Sequence, residues 1–423
     1  MTRALILFAF LFGLFPLLAA AGQAPSPAAL SLAEALRLAE EGNPSLAVAR
    51  QEAALAAAES IAARQRPNPD FEIESEGYRP GPAGGFGNRQ ELSLRVSQQL
   101  ELGGRRSSRI QVARAGEAAA GAILAEAVRQ VRRDVGRAYF ALAGARAEAG
   151  AARAALEEID RVIAVNRARY DQGEVSGGEL RRLEVERLRF HDDLLAAELV
   201  TRRATSDLRG MIGSPRLNEP IEPTEGLAVP EAPGAAPPGD AVRLLALERR
   251  PDIGALRHER ARAEADAGLQ RALRTPAPTL AGGYKRDFGD NGIILGVTIP
   301  LPVFDRNQAG LARADAAVRL ADARLRQAET AVAIEIQQAL DLVDVSRRRA
   351  DAIERDYLAR AREARDSVAT AYRVGEADLI DYLDAQRAFR DVQRAHTHAL
   401  VDLRLSLFEL QAAIGAIPGE PRP

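Results

Sequence analysis

Two long stretches without proline constrain this chain more than any other feature of its sequence. One runs from residue 83 to 214 and the other from 303 to 417. In the first, apolar residues recur at alternating spacings of four and three, the heptad pattern of a coiled coil: Leu124, Val128, Val131, Val135, Ala138 and Leu142. A helix from about Arg105 to Tyr170 would be about 100 Å long. A rod of that length is typical of a spacer or of the wall of a duct.

The composition excludes several functional classes. The chain has 423 residues, 27% of them charged, and a formal net charge of -2, so nucleic acid is not an expected partner. It has no cysteine, which rules out disulfides, thiolate metal sites and a lipid-bearing cysteine. His396 and His398 would point to different sides of a helix and cannot share a metal. Without a phosphate loop, catalytic triad or metal-ligand cluster, the sequence predicts no enzyme, no cofactor and no metal site.

The first residues have the pattern of an export signal. Arg3 precedes an apolar run, and Ala19-Ala20-Ala21 ends it with a small-residue cleavage site. Gly13 and Pro16 interrupt the run, which favours cleavage over the alternative, a retained membrane anchor. We therefore interpret residues 1–21 as a signal peptide.

The rest of the chain is predicted to be a duplication. Segments of the first half recur in the second after nearly constant separations: Arg169–Glu174 as Ala371–Glu376, Ile212-Gly213 as Ile414-Gly415, Val96–Leu100 as Val297–Leu301, and Asn43-Pro44 as Arg250-Pro251. Seven prolines lie between the halves, which is typical of an irregular linker. The predicted domains are a first repeat (22–214), a linker (215–239), a second repeat (240–417) and a tail (418–423).

Each repeat is predicted to have the same order of elements. A first helix begins at Ser31, in a capping-box pattern, and at Asp240 in the second half. It ends at a Pro-x-Pro step, Pro67–Pro69 or Pro276–Pro278, because proline removes a backbone donor and forces its neighbour towards extended geometry. Two strands, a very long helix, a glycine-containing break and another helix follow.

The strands separate a duct from a simple rod. Apolar residues alternate with polar or small ones at Phe71 and Ile73, at Leu92, Leu94 and Val96, and at Ile293, Leu295, Val297 and Ile299. Turn residues lie between them, at Gly81–Asn88 and Asp287–Gly292. Soluble hairpins packed on the helices are the alternative. With the long helices, these strands give a fold class that is mainly α with a membrane β-barrel portion. Four strands cannot close a barrel, so a pore needs at least three chains.

At this point the chain resembles the TolC-type outer-membrane factor family. The resemblance rests on the duplicated order, on Arg169–Gly173 and Tyr372–Gly375 at the two helix breaks, and on Leu379–Gln386. It implies a homotrimer with a twelve-stranded barrel in the outer membrane of a Gram-negative cell and a helical tunnel in the periplasm. It also implies that the periplasmic tip docks an adaptor (membrane fusion) protein and an inner-membrane RND-type pump.

Two further segments resemble the heavy-metal cation efflux (CzcC-like) branch of that family. They are Leu100–Arg106 after the second strand and Ile299–Gln308 after the fourth. The resemblance implies export of heavy-metal cations. A drug or organic-compound efflux channel of the same fold is the alternative cargo class. A periplasmic coiled-coil adaptor is the main rival in another class, and a purely structural spacer is a second.

Asp381 and Asp384 are the candidate channel constriction. They are three residues apart, so they share one helix face just after the second break. The resemblance implies that acids at these positions line the periplasmic constriction, which in a trimer would place six carboxylates around one axis and attract cations. The alternative is that these acids only cap a helix, with Asp381 able to do both.

A second group is predicted to close the tip or to dock the adaptor: Tyr170, Gly173, Glu179, Tyr372 and Gly375. The resemblance implies that Glu179 latches the closed tip to Tyr372. The alternative for Glu179 is structural, because Ser176–Glu179 is also a capping-box pattern. The chain departs from the family's namesake at Ala377, where that protein has an arginine that helps to hold the tip shut.

Overall fold

The computed structural model describes residues 28–77, 91–214, 220–228, 239–287 and 290–416. Its helices are α1 (Leu32–Gly42), α2 (Pro44–Arg64), α3 (Arg105–Asp171), α4 (Gly177–Ile212), α5 (Gly239–Arg249), α6 (Pro251–Ala272), α7 (Gln308–Ala352), α8 (Ala359–Val374) and α9 (Leu379–Ala413). Its strands are β1 (Ala28–Leu30), β2 (Asp70–Glu76), β3 (Glu91–Gln99), β4 (Ile221–Pro223), β5 (Thr279–Asp287) and β6 (Asp290–Thr298). The predicted signal peptide, the Gly81–Asn88 turn, most of the linker and the tail lie outside the described residues.

The two long rods have the predicted extent. Helix α3 contains 67 residues and begins at Arg105. In the second half, α7 continues through a π-helical turn at Ile353–Leu358 directly into α8. Val131, Val135 and Leu142 of the heptad pattern are buried, and they pack with residues of α1 and α4 in one core cluster. Every helix in the described parts of the chain is too short or too polar to cross a membrane.

The first helix of each half is not continuous, and that expectation was wrong. It breaks at Asn43, whose backbone is extended (φ -68°, ψ 124°), and Pro44 starts a new helix. Arg250 and Pro251 repeat the same break. The cause is the proline, which disfavours helical geometry in the residue before it but is well suited to the first position of the next helix.

The four predicted strands form one antiparallel sheet in the order β2-β3-β5-β6. Pairing of β3 with β5 joins the hairpin of the first half to that of the second. The alternation is confirmed, since Phe71 lies opposite Val96 and Ile73 opposite Leu94, which gathers the apolar side chains on one face. The other face carries polar or small residues and the Arg95–Glu72 ion pair, 3.2 Å between Nη1 and Oε2. Ile299 lies one residue beyond the end of β6.

A short segment after the first half is fixed to the middle of α3. Strand β4 pairs in parallel with β1, and the residues after it reach Tyr139 of α3. The buried Tyr139 hydroxyl can donate to Leu30 O at 3.0 Å or to the Glu225 carboxylate, and it accepts from the Glu225 amide at 3.1 Å. The Glu225 carboxylate accepts from the Leu32 amide at 2.9 Å and so caps α1. Burial raises the pKa of Tyr139, which keeps its hydroxyl a neutral donor.

The ends of the two repeats are closed in equivalent ways. Asn43 Nδ2 donates to Met211 O at 2.8 Å near the end of α4, and Arg250 Nη1 donates to Ala413 O at 3.1 Å at the end of α9. Asn43 and Arg250 are both buried. Carbonyls in the last turn of a helix lack intrahelical partners, so these side chains stabilise both ends. Just beyond, Gly213 is left-handed (φ 66°) and lies directly against the Gly42 backbone.

Gly213 and Gly173 form a matched pair for measuring this close approach. Both have left-handed backbone, but a Cβ at Gly213 would clash with the Gly42 carbonyl, whereas one at Gly173 would meet open space. Gly173→Ala is expected to lower the free energy of unfolding by about 1–2 kcal/mol, the cost of left-handed geometry. Gly213→Ala is expected to cost about 3–5 kcal/mol, because the backbone must also shift. Guanidinium unfolding in detergent, followed by circular dichroism, measures both. Equal losses would show that the contact with Gly42 is unimportant.

Candidate functional site

Helices α3 and α4 form one helical hairpin, and α8 and α9 form another. The two helical hairpins end in turns of the same geometry, which form the helical tip of the molecule. Gly173 and Gly375 both have left-handed backbone, with φ of 78° and 84°. In each turn the amide after the glycine bonds back into the preceding helix, Glu174 N to Arg169 O at 2.9 Å and Glu376 N to Ala371 O at 2.8 Å. This glycine-terminated helix end satisfies the last carbonyls of α3 and α8.

A compact apolar cluster lies above these turns and holds the two hairpins together. Its buried members come from α3, α4, α8 and α9: Ile159, Ile163, Leu180, Leu183, Phe190, Tyr372, Leu379, Tyr382 and Leu383. The rings of Tyr372 and Tyr382 stack, with centroids 5.1 Å apart and planes at 22°. Ala377 packs partly buried against the cluster, at the position where the family's namesake has an arginine.

Tyr372 makes the polar contact at the centre of this cluster. Its side chain is 5% exposed, and its hydroxyl lies 3.0 Å from Asn166 Oδ1 and 3.1 Å from Glu179 Oε1. A hydroxyl has one proton, so it can donate to one of these two acceptors at a time. Tyr372 therefore links the second hairpin to both helices of the first. The contact with Glu179 exists, and its role in closing the tip remains a proposal.

Glu179 also occupies the structural position that its sequence pattern indicates. Ser176 is the N-cap of α4, and its Oγ accepts from the Glu179 amide at 3.2 Å. The Glu179 backbone thus serves the cap, while its carboxylate reaches Tyr372. Burial, and next the charge of Glu179, raises the pKa of Tyr372 to about 12, so the phenol is neutral at physiological pH.

Sequence reasoning missed Asn166. It follows Ile159 and Ile163 at the same four-and-three spacing as the rest of the helix seam, so it is a polar residue at a core position. It is 2% exposed, and its Nδ2 donates to Val162 O at 2.9 Å, which leaves Oδ1 for Tyr372. A polar side chain at an apolar heptad position was the available signal, because such a residue usually has a buried partner.

Tyr170 has the same place in the first hairpin as Tyr372 has in the second, but a different environment. Its side chain is 47% exposed and lies beside Gly177. The structure thus brings Glu179 and Tyr372 together and leaves Tyr170 at the surface.

Asp381 and Asp384 lie in the first two turns of α9, and both are exposed. Asp384 Oδ1 lies 3.2 Å from Arg387 Nη1. The same guanidinium bonds Glu186 of α4 at 2.8 Å. Asp378 is the N-cap residue of α9, but its side chain makes no capping bond to that helix. Both carboxylates therefore reach solvent, and Arg387 partly offsets the charge of Asp384.

A concave basic surface completes the tip. It is a groove of about 670 Å³ between α3, α8 and α9. Its lining holds the two acids Glu158 and Asp366 and six arginines: Arg161, Arg169, Arg362, Arg365, Arg373 and Arg390. Four of these arginines have an acidic partner: Arg161 with Glu158, Arg169 with Glu174, Arg365 with Asp366 and Arg390 with Asp193. Arg365 also lies over the ring of Phe389, 4.1 Å from its centroid. We call this surface the arginine groove.

Long paired helices joined to an antiparallel sheet with one apolar face define the class of channel-forming tunnels of the outer membrane. The chain belongs to the outer membrane efflux protein family, whose model matches residues 35–214 and 243–416. It is therefore an outer-membrane efflux channel protein with a helical portion in the periplasm, as the sequence predicted. The family consists of channel proteins, which disfavours the adaptor and spacer alternatives.

Named relatives and a solved structure agree with this assignment. The cobalt-zinc-cadmium resistance protein CzcC of Cupriavidus metallidurans is 28% identical over 362 residues, covering 85% of this chain and 83% of that protein. The nickel-cobalt-cadmium resistance protein NccC of Alcaligenes xylosoxydans xylosoxydans is 28% identical over 309 residues, covering 72% and 67%. The structure of the outer-membrane channel OprN superposes with a TM-score of 0.75 at 22% identity, covering 91% of this chain and 90% of that one.

The environment of Tyr372 predicts an unusual alkaline titration. Because its folded pKa is about 12, against about 10 for an exposed tyrosine, deprotonation favours states in which the Tyr372 hydroxyl is exposed to water. The stability that Tyr372 contributes is complete below about pH 10 and is lost as pH rises towards 12. Tyrosinate absorbance of the wild type minus that of Tyr372→Phe should give a midpoint near pH 12. A Tyr372 midpoint near 10 would contradict the buried contact.

Proposed function

We propose that three copies of this chain form a passive duct, and that their strands together close a twelve-stranded barrel in the outer membrane. The observation that carries the proposal is the four-stranded sheet in a chain of the outer membrane efflux protein family. The sheet has an apolar face, and within the described residues no further strand pairs with β2 or β6. An open sheet edge in lipid leaves backbone groups unpaired at several kcal/mol each, so the edges need partners. The expected form is a detergent-extracted trimer, and a stable water-soluble monomer would contradict it.

The same proposal includes partners at the periplasmic end. The tip is expected to dock a periplasmic adaptor, which connects the duct to an inner-membrane RND-type pump. The arginine groove supports this, because its lining has six arginines against two acids, and an acidic partner helix would complement that excess of positive charge. Gly173 and Gly375 lie at the ends of the two hairpins, where such a partner would first make contact.

Heavy-metal cations are the proposed cargo. The support comes from two relatives that cover most of this chain and are named for resistance to cobalt, zinc, cadmium and nickel. Deleting the gene is expected to lower the tolerated concentration of these ions, and supplying the gene on a plasmid should restore it. Sensitivity to dyes and detergents, with metal tolerance unchanged, would instead indicate the organic-compound branch.

Asp381 and Asp384 are proposed to line the constriction of the duct. In a trimer these exposed acids would converge within a Debye length of one another, about 8 Å at physiological salt. The ring would then favour cations, although Arg387 offsets part of the charge of Asp384.

Planar-bilayer recordings test this assignment. Asp381→Ala with Asp384→Ala is expected to weaken cation selectivity and to remove block by trivalent cations, since up to six charges leave the narrowest point. The matched control is Asp391→Ala, seven residues later on the same helix and exposed, which should change little. Unchanged selectivity in the double variant would leave these acids a structural role only, worth about 1 kcal/mol.

A further inference from the structure

The two hairpins of the sheet are equivalent residue by residue, which allows the contact between neighbouring chains to be derived. In the first hairpin Phe71 lies opposite Val96 and Ile73 opposite Leu94. In the second, Leu280 lies opposite Val297 and Gly282 opposite Leu295. The sequence repeat aligns Val96 with Val297 and the Pro-x-Pro steps before β2 and β5 with each other. Both observations therefore give one alignment, in which Ile73 corresponds to Gly282.

The chain already contains one contact between successive hairpins. Strand β3 of the first pairs with β5 of the second, and Val96 lies opposite Gly282. The pairing continues past the strand ends, because Leu100 N donates to Pro278 O at 2.8 Å. In a closed ring of equivalent hairpins, β6 of one chain must meet β2 of the next in the same way.

Exposure along β6 shows that no strand among the described residues covers this side of the sheet. Leu94 in the central strand β3 is only partly exposed, whereas its equivalent Leu295 in β6 is 85% exposed. Every residue of β2, the other edge, is exposed. Apolar exposure continues beyond β6, with Leu301 at 78%. The side chains that β5 covers in the first hairpin are thus uncovered in the second.

We infer that a second copy of this chain covers the edge of β6 with its β2, in the register that places Val297 opposite Ile73 of the partner subunit. The register follows from replacing Val96 and Gly282 by their equivalents. It also places Ile299 opposite Phe71 of the partner subunit and Leu301 N at Pro69 O of the partner subunit. The inference rests on the trimer proposed above and adds the residues that join its chains.

The register is consistent with the two faces of the sheet. Val297 and Ile73 both belong to the apolar face of the sheet, and so does Phe71. Ile299 lies one residue beyond β6, and the alternation of β6, if continued, places it on the same face. A shift by one residue would place apolar side chains of one chain beside the polar face of the next. A shift by two residues would preserve the faces, so an experiment must separate pairs two residues apart.

Disulfide cross-linking makes this separation, and the chain suits it because it contains no cysteine. Directly opposed residues in an antiparallel pair have Cβ atoms about 4.5–5.5 Å apart, and diagonal ones about 7–8 Å. The full-length protein would carry Ile73→Cys with Val297→Cys. The off-register variants would carry Val297→Cys with Phe71→Cys or with Ser75→Cys. Val96→Cys with Gly282→Cys is the matched intramolecular control, since that pair is opposed within one chain.

After brief oxidation in outer membranes, the Ile73–Val297 variant is expected to give covalent dimers and trimers on non-reducing gels. Their yield should exceed that of either off-register variant by about fivefold, because disulfides need short Cβ separations. The control should cross-link within a monomer, which verifies that the sheet is folded.

Two results would overturn the inference in different ways. A higher yield from an off-register variant, or no cross-link in any variant of a protein that is trimeric by native mass, would refute the register and leave the trimeric duct standing. Monomeric mass for the wild-type protein in the same detergent would refute the trimer itself.

Discussion

Backbone hydrogen bonding in lipid is the constraint on which the rest of this architecture depends. Hydrocarbon supplies no partner for an unpaired N–H or C=O, so each strand of a membrane sheet needs a strand on both sides. Within the described residues, one chain pairs only the inner edges of β2 and β6. Helix α3 begins six residues after β3 ends, and α7 begins ten residues after β6 ends. Closing the sheet around an axis would therefore also arrange the helices around that axis, which converts paired rods into a tunnel.

The two repeats keep the same backbone but use their side chains differently. Asn43 and Arg250 each donate to an unpaired carbonyl at the end of a helix, α4 for Asn43 and α9 for Arg250. One uses an amide and the other a guanidinium. At the tip, Tyr170 is exposed and Tyr372 is buried between the hairpins. Duplication supplies a geometry that forms rings, because similar units repeat around the axis. Tyr170 and Tyr372 differ in this respect: only Tyr372 is buried, and its hydroxyl bonds attach the α8–α9 helical hairpin to α3 and α4.

Features encoded locally were predictable from the sequence, and contacts between distant segments were not. The start of α3 near Arg105 followed from a proline-free heptad pattern, and the alternation in β2 and β3 followed from residue type. The break at Asn43 was missed, although Pro44 marks it, because alanine- and leucine-rich sequence of helical type continues on both sides. The pairing of β3 with β5 joins segments separated by most of the first repeat, and periodicity carries no information about such partners. The contact between Asn166 and Tyr372 was not predictable for the same reason, because it joins residues 206 positions apart.

The tip combines an apolar cluster with a few polar contacts, and the two respond differently to separation of the hairpins. Tyr372 bonds Asn166 and Glu179, and Arg387 and Arg390 of α9 bond Glu186 and Asp193 of α4. Hydrogen bonds weaken steeply with distance and angle, whereas burial of apolar area changes gradually as surfaces slide. A small outward movement of α8 and α9 would therefore break the polar contacts while much of the cluster stayed buried. Arg387 also contacts Asp384 of its own helix, so the same movement would separate Arg387 from Glu186 and leave it beside Asp384.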